Sequence, residues 1–309
     1  MSISCTEEGE RAAFVRNYLN SPPESAPAAL AAAICAKHRG AAVLLYGSGN
    51  SVMKTAALED VLFDFYAIAP SYEAAYRSPL MRLANWLLPP NVFYLECDSP
   101  QGRLRCKYAV LSIAHFERLV SKRTFHSYFW ARFAQPCRIV AGPADLRARI
   151  EGAVLTAIDS FTANAAGLDG AGPDVGALWR EGLSRSYKAE LRAEQPGRVV
   201  KLLESYGDWP QKASLAPALR PRGQETAWRL RAVQGGFLSA ARLLKASFTF
   251  EGGVDYMAWK IGRHAGFQLP VNDWERKWPL LAAPVLAARY YRLKRAAVRK
   301  AAPVMTSRG

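Results

Sequence analysis

The chain of 309 residues lacks the marks of a disulfide framework or a zinc site. Its five cysteines (Cys5, Cys35, Cys97, Cys106 and Cys137) form no CxxC pair, and their number is odd. They read as reduced thiols of a cytosolic protein. The four histidines (His38, His115, His126 and His264) are scattered, whereas zinc needs Cys and His clustered. No run reaches the roughly 18–20 apolar residues that a membrane-spanning helix requires. The first residues, MSISCTEEGERAAF, are acidic and carry no apolar h-region, so no secretory signal is expected. Acidic residues are absent after Glu275. There is no helix-turn-helix, zinc-finger or RNP signature of a nucleic-acid binder, and no internal repeat.

What is present is apolar and basic. Apolar residues make up 50% of the chain, enough for a large core, and 41 Lys plus Arg against 26 Asp plus Glu give a net charge of +15. The excess implies an anionic partner: nucleic acid, an acidic membrane surface or a phosphorylated small molecule.

Two textures follow one another. Residues 8–20 and 26–38 read as short helices, stopped by Ser21-Pro22-Pro23 and Arg39-Gly40. Strand-like pieces come next: 42–46, 61–68, 91–97 and 104–111, the last two joined as a hairpin across Ser99-Pro100-Gln101-Gly102. Tyr72 to Leu88 and Ile113 to Arg132 read as helices, and Arg138-Ile139-Val140 as an edge strand. This order predicts an α/β (α+β) fold with a mixed sheet flanked by helices over 1–143. From Ala144 to about 262, Ala, Leu and Arg dominate and the periodicity is helical. That predicts a mostly helical second domain, broken by loops at 164–175 and 210–223, with room for a short strand at Ser247-Phe248-Thr249-Phe250. The remainder, 263–309, is a basic tail. Trp278 to Ala288 is apolar, and Arg289 to Lys300 adds six positive charges, a pattern suited to lying in an anionic membrane interface. Pro279 and Pro284 argue against one long regular helix there.

Chemistry centres on residues 41–68, AAVLLYGSGNSVMKTAALEDVLFDFYAI. Gly47, Ser48 and Gly49 end an apolar strand, and small residues there let backbone amides approach a triphosphate closely. Asp60 and Asp64 follow; carboxylates hold Mg²⁺, which bridges phosphate oxygens. On a regular strand these two acids would be about 13 Å apart, so Asp64 is the better ligand. Glu96 is a further candidate ligand. Lys107, on a strand, is a point charge suited to phosphate. The alternative for the whole stretch is a tight turn followed by a strand-edge acid, and the local residues leave both open. The position two beyond Asp64, where a second Asp would complete Asp-x-Asp, is Tyr66.

The ordered segments YGSG, LFDFYAI, LPPNVFYLE, RCKYAVLS and ARFAQPCRIV resemble the mitochondrial phosphatidate cytidylyltransferase family, the translocator assembly and maintenance proteins. In that family a GSG turn, an acid-bearing strand, a tract near a Tyr-Tyr pair, a Lys-Tyr-Gly-Val strand and a Gly-Arg-x-x-x-Pro element follow in order. The matching positions here are Gly47 to Gly49, Asp64, Phe93-Tyr94, Lys107 to Val110, and Ala131-Arg132 to Pro136. Ser184 to Arg192 resembles the family's Ser-x-x-Tyr-x-x-Asp-x-Arg element. The resemblance covers about residues 40–205. It departs at Pro70-Ser71, in place of a second acidic pair, and at Gln234 to Ser239, where the family has Gly-x-x-Lys-Ser.

The resemblance implies a nucleotidyltransferase domain joined to a winged-helix-like domain and a membrane-associating C-terminal segment. It implies conversion of CTP and phosphatidate to CDP-diacylglycerol and pyrophosphate with Mg²⁺, at the inner face of a membrane. Gly47, Ser48 and Gly49 would cradle the nucleotide. Asp64 and Lys107 would be catalytic, and Asp64 with Asp60 or Glu96 would hold the metal. Tyr187, Arg192 and Arg132 would bind substrate phosphate. The expected partners are CTP, phosphatidate and an anionic membrane surface, and nucleic acid is not expected. Alternatives are a nucleotidyltransferase with a soluble or protein acceptor, and a non-catalytic basic nucleic-acid-binding protein.

Overall fold

Apolar and β-branched runs bounded by Gly and Pro become strands where the sequence reading put them. In the computed structural model these are β1 (Ala42–Tyr46), β2 (Leu62–Ala69), β3 (Asn91–Ser99), β4 (Gly102–Ser112) and β5 (Arg138–Ala141). The structure describes residues 5–47, 61–100, 102–171, 174–190, 197–215, 224–249, 252–265 and 269–301. Ser48, Gly49, Asp60 and Arg192 therefore lie outside the described residues.

The strands form one mixed sheet in the order β3-β4-β2-β1-β5. β1 is antiparallel to β2 and to β5, β2 is parallel to β4, and β3 and β4 make the expected antiparallel hairpin. Side chains alternate across a strand, so each face collects every second residue. Val43, Leu45, Phe63, Phe65, Ala67, Leu95, Cys106 and Val110 pack on one face. Against them lies α2 (Ser25–Lys37), through Leu30, Ala31 and Ile34. Two short helices, α3 (Tyr72–Ala75) and α4 (Pro79–Leu87), replace the single helix expected over 72–88. Ser78 caps α4 with its hydroxyl and Pro79 sits in its first turn, a pair of start signals that restarts the helix there.

The opposite face carries Ala42, Leu44, Tyr66, Ile68, Ala109 and Leu111 and meets most of the helices. These include α1 (Cys5–Leu19), α5 (Ile113–Val120), α6 (Trp130–Phe133) and α7 (Ala144–Ala165). The helix expected over 113–132 is thus two helices with turns between them. Next come α8 (Val175–Ala189), α9 (Arg198–Tyr206) and α10 (Trp209–Ala213). Asp174 starts α8 by accepting from the Ala177 amide at 2.7 Å, a cap worth about 1 kcal/mol. Trp130, Phe161, Trp179 and Trp209 are almost wholly buried in this cluster, each side chain contributing about 2–3 kcal/mol by burial. Sheet residues Leu44 and Tyr66 and residues Ile150, Trp179 and Trp228 share that one cluster. The change of texture at 143–144 therefore marks no break in packing.

The last elements are α11 (Gln224–Thr249), α12 (Gly253–Ala265), α13 (Asp273–Lys277) and α14 (Pro279–Ala301). Two expectations fail here. Ser247 to Thr249 are helical, because the long α11 runs through them. α14 continues through Pro284, anchored on both sides of it by buried Ala282 and by Arg289, which binds Glu275 through two nitrogens at 2.9 and 2.6 Å. Among the described residues the second half contains no strand, so the winged part of the expected winged helix is not seen. No described helix is long and apolar enough to cross a membrane.

Candidate functional site

One row of four side chains crosses the sheet. The register pairs Tyr46 of β1 with Asp64 of β2, Asp64 with Lys107 of β4, and Lys107 with Tyr94 of β3. Paired residues share a face, so the row Tyr46, Asp64, Lys107, Tyr94 projects to one side. The Lys107 ammonium lies 3.3 Å from Asp64 Oδ1. That contact is an ion pair without hydrogen-bond alignment, and Oδ1 is buried with no hydrogen-bond partner among the described residues. Burial works against the Lys107 charge, and the Asp64 carboxylate, with smaller help from Tyr46 and Tyr256, outweighs it. The ammonium's pKa therefore sits above its ordinary value. Burial first, then the Asp64 charge, pushes the Tyr46 phenol up to about 12, so it stays neutral at physiological pH.

Gly47 follows Tyr46 directly with φ of +75°, a conformation that favours glycine. A β-carbon on it would sit 3.7 Å from Asp64 Oδ2. The turn after β1 and the acid on β2 are thus neighbours, as the sequence reading required.

Beside this row stands a second charged group. Arg132 of α6 pairs with Glu190, at the end of α8, at 3.1 Å and reaches the Tyr46 hydroxyl at 3.3 Å. Its guanidinium lies 4.5 Å from the Tyr128 ring centre and 5.3 Å from that of Tyr46. Arg242 of α11 lies on Tyr128 at 4.2 Å and donates from Nε to the Pro89 carbonyl at 2.8 Å. Flat guanidinium groups suit such stacked, forked positions better than lysine.

These groups line a cavity of about 1260 Å³ between the sheet and helices α11, α12 and α14. Its polar end carries Tyr46, Lys107, Arg132, Glu190 and Arg242. Its walls are largely apolar, with Val92, Leu243, Ile261, Leu269, Ala283 and Leu286 among them. Drug-sized ligands occupy roughly 300–1,000 Å³, so this space admits something larger. Gly252, with φ of +77°, closes one side, where a β-carbon would meet Tyr94 at 3.0 Å.

Of the residues singled out in the sequence, Gly47, Asp64, Lys107 and Arg132 come together. Glu96 is engaged away from Asp64: its carboxylate accepts from Arg103 at 2.8 Å, Arg105 at 3.1 Å and the Tyr94 hydroxyl at 2.7 Å. A cation there would have to displace two arginines. Tyr187 is not in the cavity either, because it packs in the core and donates its hydroxyl to Gln135 at 3.1 Å. Tyr66 occupies the position of a second acid with a buried ring, 5.0 Å from Tyr46 and 4.8 Å from Phe133. Arg289, counted among the tail's cations, is committed to buried Glu275.

Tyr128 and Arg242 join the site with no warning in the sequence as functional residues, whereas Glu190 stands at the Asp position of the Ser-x-x-Tyr-x-x-Asp-x-Arg resemblance. Their stretches are ordinary helix or turn text, and only the packing of α6, α8 and α11 brings them to the sheet.

The metal question turns on Asp64. The described residues contain no group of three potential ligands. Mg²⁺, however, is often held by one or two carboxylates, with phosphate and water completing its shell. A carboxylate pair is not needed for that mode, and Asp64 would supply its single carboxylate, with a cation at Oδ1 taking the place of the Lys107 ammonium 3.3 Å away. Asp60 lies outside the described residues.

No protein-family model matches the chain, and no curated protein matches it.

Proposed function

We propose that the protein is a nucleotidyltransferase that transfers a cytidylyl group from CTP to phosphatidate, releasing pyrophosphate and leaving CDP-diacylglycerol. The observation that carries this reading is a combination: Lys107, Arg132 and Arg242 line one large cavity with apolar walls, and Lys107 stands 3.3 Å from Asp64, which adjoins Gly47. A phosphate-binding floor below an apolar chamber suits an amphiphile with an anionic head.

In this reading the Gly47 turn receives the triphosphate. A phosphate oxygen of phosphatidate attacks the α-phosphorus, a new P–O bond forms, and the bond to the β-phosphate oxygen breaks. The nucleophile is already an anion, so no protein base is needed; the protein supplies position and charge. Lys107 neutralises phosphate charge. Arg132, fixed by Glu190 and two tyrosine rings, presents the second cation. Asp64 would hold Mg²⁺, whose contribution when bound is to neutralise charge on the phosphates. The resemblance to the phosphatidate cytidylyltransferase family supports the same assignment.

Incubation of the purified chain with CTP, Mg²⁺ and phosphatidate vesicles is expected to release pyrophosphate. Release with a soluble phosphate acceptor but not with phosphatidate would move the acceptor to the soluble class. Salt-sensitive binding to DNA or RNA with indifference to CTP would replace the enzyme by a nucleic-acid binder.

A further inference from the structure

We propose that Arg242 and Arg132, sharing the ring of Tyr128, form a second anion subsite of the cavity, which takes the phosphate monoester head of the acceptor apart from the nucleotide end at Asp64 and Lys107. Helix α11 turns one face to the cavity: Ser239, Arg242, Leu243 and Ala246 fall at i, i+3, i+4 and i+7, and all four line it. Arg242 is tied down by one nitrogen only. Its Nε donates to the Pro89 carbonyl at 2.8 Å, and its guanidinium carbon lies 4.2 Å from the centre of the Tyr128 ring. Among the described residues, its two terminal amino groups donate no hydrogen bond and meet no carboxylate at ion-pair distance. They are not among the buried polar atoms that lack a partner, so they face the open space of the cavity. Arg132 is placed differently, with one arm on Glu190 and the other on the Tyr46 hydroxyl. It adds charge to the subsite, and Arg242 adds the fork.

A chain of contacts separates the two ends. Lys107 pairs with Asp64, and Asp64 faces Tyr46 in the register of β1 and β2. Tyr46 meets Arg132, Arg132 lies on Tyr128, and Tyr128 lies on Arg242. Two tyrosine rings therefore stand between the Asp64–Lys107 pair and Arg242.

Charge selects the ligand. The cations of the polar end are Lys107, Arg132 and Arg242, and the acids paired there are Asp64 and Glu190. Arg276 and Asp255, which also line the cavity, pair with each other. One positive charge is left without a partner. A guanidinium that offers its terminal amino groups as a fork suits a phosphate, which accepts two bonds at once, better than a single-point anion. Beyond Arg242 the same face of α11 is apolar, with Leu243 and Ala246, which suits an aliphatic group attached to the phosphate. α11 (Gln224–Thr249) lies outside residues 40–205, which carry the family resemblance, so that resemblance gives Arg242 no role. Naming this ligand the acceptor rests on the nucleotidyltransferase reading; the anion subsite itself does not.

The test titrates the full chain, Arg242→Met and Arg242→Lys with dihexanoyl phosphatidate, dihexanoyl phosphatidylcholine and glycerol 3-phosphate by isothermal calorimetry. The thermal shift of each protein with CTP and Mg²⁺ is recorded alongside. The native chain is expected to bind the phosphatidate and not the phosphatidylcholine. Arg242→Met should bind the phosphatidate about tenfold more weakly or worse. Arg242→Lys keeps a charge and a donor for the Pro89 carbonyl but loses the fork. It should fold even where Arg242→Met does not, and bind about threefold more weakly or worse. The shift with CTP should be the same in all three proteins. Glycerol 3-phosphate should bind more weakly than the phosphatidate and with the same dependence on Arg242; binding as tight would uphold the subsite and place the acceptor in the soluble class. Native-like phosphatidate binding by the variants would overturn the proposal, as would no binding of either phosphate by the native chain. Loss of phosphatidate and CTP together in a folded variant would also overturn it, by placing Arg242 in the nucleotide site. Loss of phosphatidate binding in the variants of a protein indifferent to CTP would uphold the subsite and defeat the nucleotidyltransferase reading.

Discussion

Asp64 and Lys107 stand side by side on adjacent parallel strands, with the ammonium nitrogen 3.3 Å from Oδ1. Each is only partly exposed, and the pair lies between two tyrosines of the same row. Lys107 lines the cavity, and a partly buried ion pair of this kind is costly to desolvate and contributes little net stability. Its position next to the Gly47 turn gives it a chemical use. Lys107→Met is expected to fold, because a flexible apolar chain replaces a largely covered one. It should raise KM for the nucleotide and lower kcat/KM by about a hundredfold, the loss of roughly 2.7 kcal/mol of transition-state stabilisation. Steady-state kinetics across CTP concentrations check this.

The Arg132–Glu190 pair is more deeply covered, with side chains 11% and 9% exposed. Removing one partner strands the other charge, at a cost of about 3–5 kcal/mol. Arg132→Met should therefore lower unfolding stability by about that amount. Arg132→Met with Glu190→Gln should recover a large part of it while leaving turnover low. A urea-denaturation double-mutant cycle separates the two roles.

Acid sensitivity should trace to His115. Arg118 donates to its Nε2 at 2.6 Å, so that nitrogen carries no proton, and Nδ1–H donates to the Tyr72 hydroxyl at 2.6 Å. Burial first, and Arg118 second, lower its pKa to about 4. The unfolded chain, near the ordinary 6.5, binds the proton more readily between these values. Stability is therefore fully present above the unfolded pKa and is lost as pH falls from about 6.5 toward 4, by on the order of 3 kcal/mol. Burial lowers His126 to about 4 as well, so His115→Gln should remove about half of this pH dependence and the further change His126→Gln most of the rest, measured by denaturant titration at each pH. A native curve with no change between pH 6.5 and 4 would contradict it.

Glu96 gives a negative control. Its oxygens are taken by Arg103, Arg105 and Tyr94. Glu96→Gln is expected to cost about 1 kcal/mol of stability and to leave the Mg²⁺ concentration for half-maximal activity within about twofold. A large shift in metal dependence would restore Glu96 as a ligand.

The apolar walls predict selectivity for long chains. Ala283→Trp fills part of the cavity lined by Leu243 and Leu286. KM for long-chain phosphatidate should rise about tenfold or more, while KM for a short-chain analogue changes little. Equal effects on both would remove the acyl chains from this cavity.

The sheet was legible in the sequence. Runs such as 42–46 and 91–97 are short, apolar and bounded by Gly or Pro, and periodicity reports such local patterns directly. The adjacency of Gly47 and Asp64 followed from the same text, because β1 and β2 are consecutive. Helix breaks at Tyr76–Ser78 were written in Ser78-Pro79 but outweighed by the apolar stretch around them. Phe248 and Thr249 read as β-prone, yet they extend a helix already 23 residues long by Ala246, since tertiary context overrides propensity. Arg242 was invisible as a site residue, because only the crossing of α11 over Pro89 aims it at the cavity. The partners of Glu96 were hidden for a related reason: two arginines seven and nine positions along the chain close on it only when the hairpin forms.

The most direct test of the nucleotide site at Asp64 is a thermal-shift comparison of the native chain and Asp64→Asn with each nucleoside triphosphate, with and without Mg²⁺. Ligand at about a hundred times Kd stabilises by roughly 2.7 kcal/mol. CTP with Mg²⁺ is expected to raise the melting temperature of the native chain selectively, and Asp64→Asn should abolish the Mg²⁺-dependent part of the shift. Equal shifts in both proteins, or no shift with any nucleotide in a folded native chain, would contradict the account.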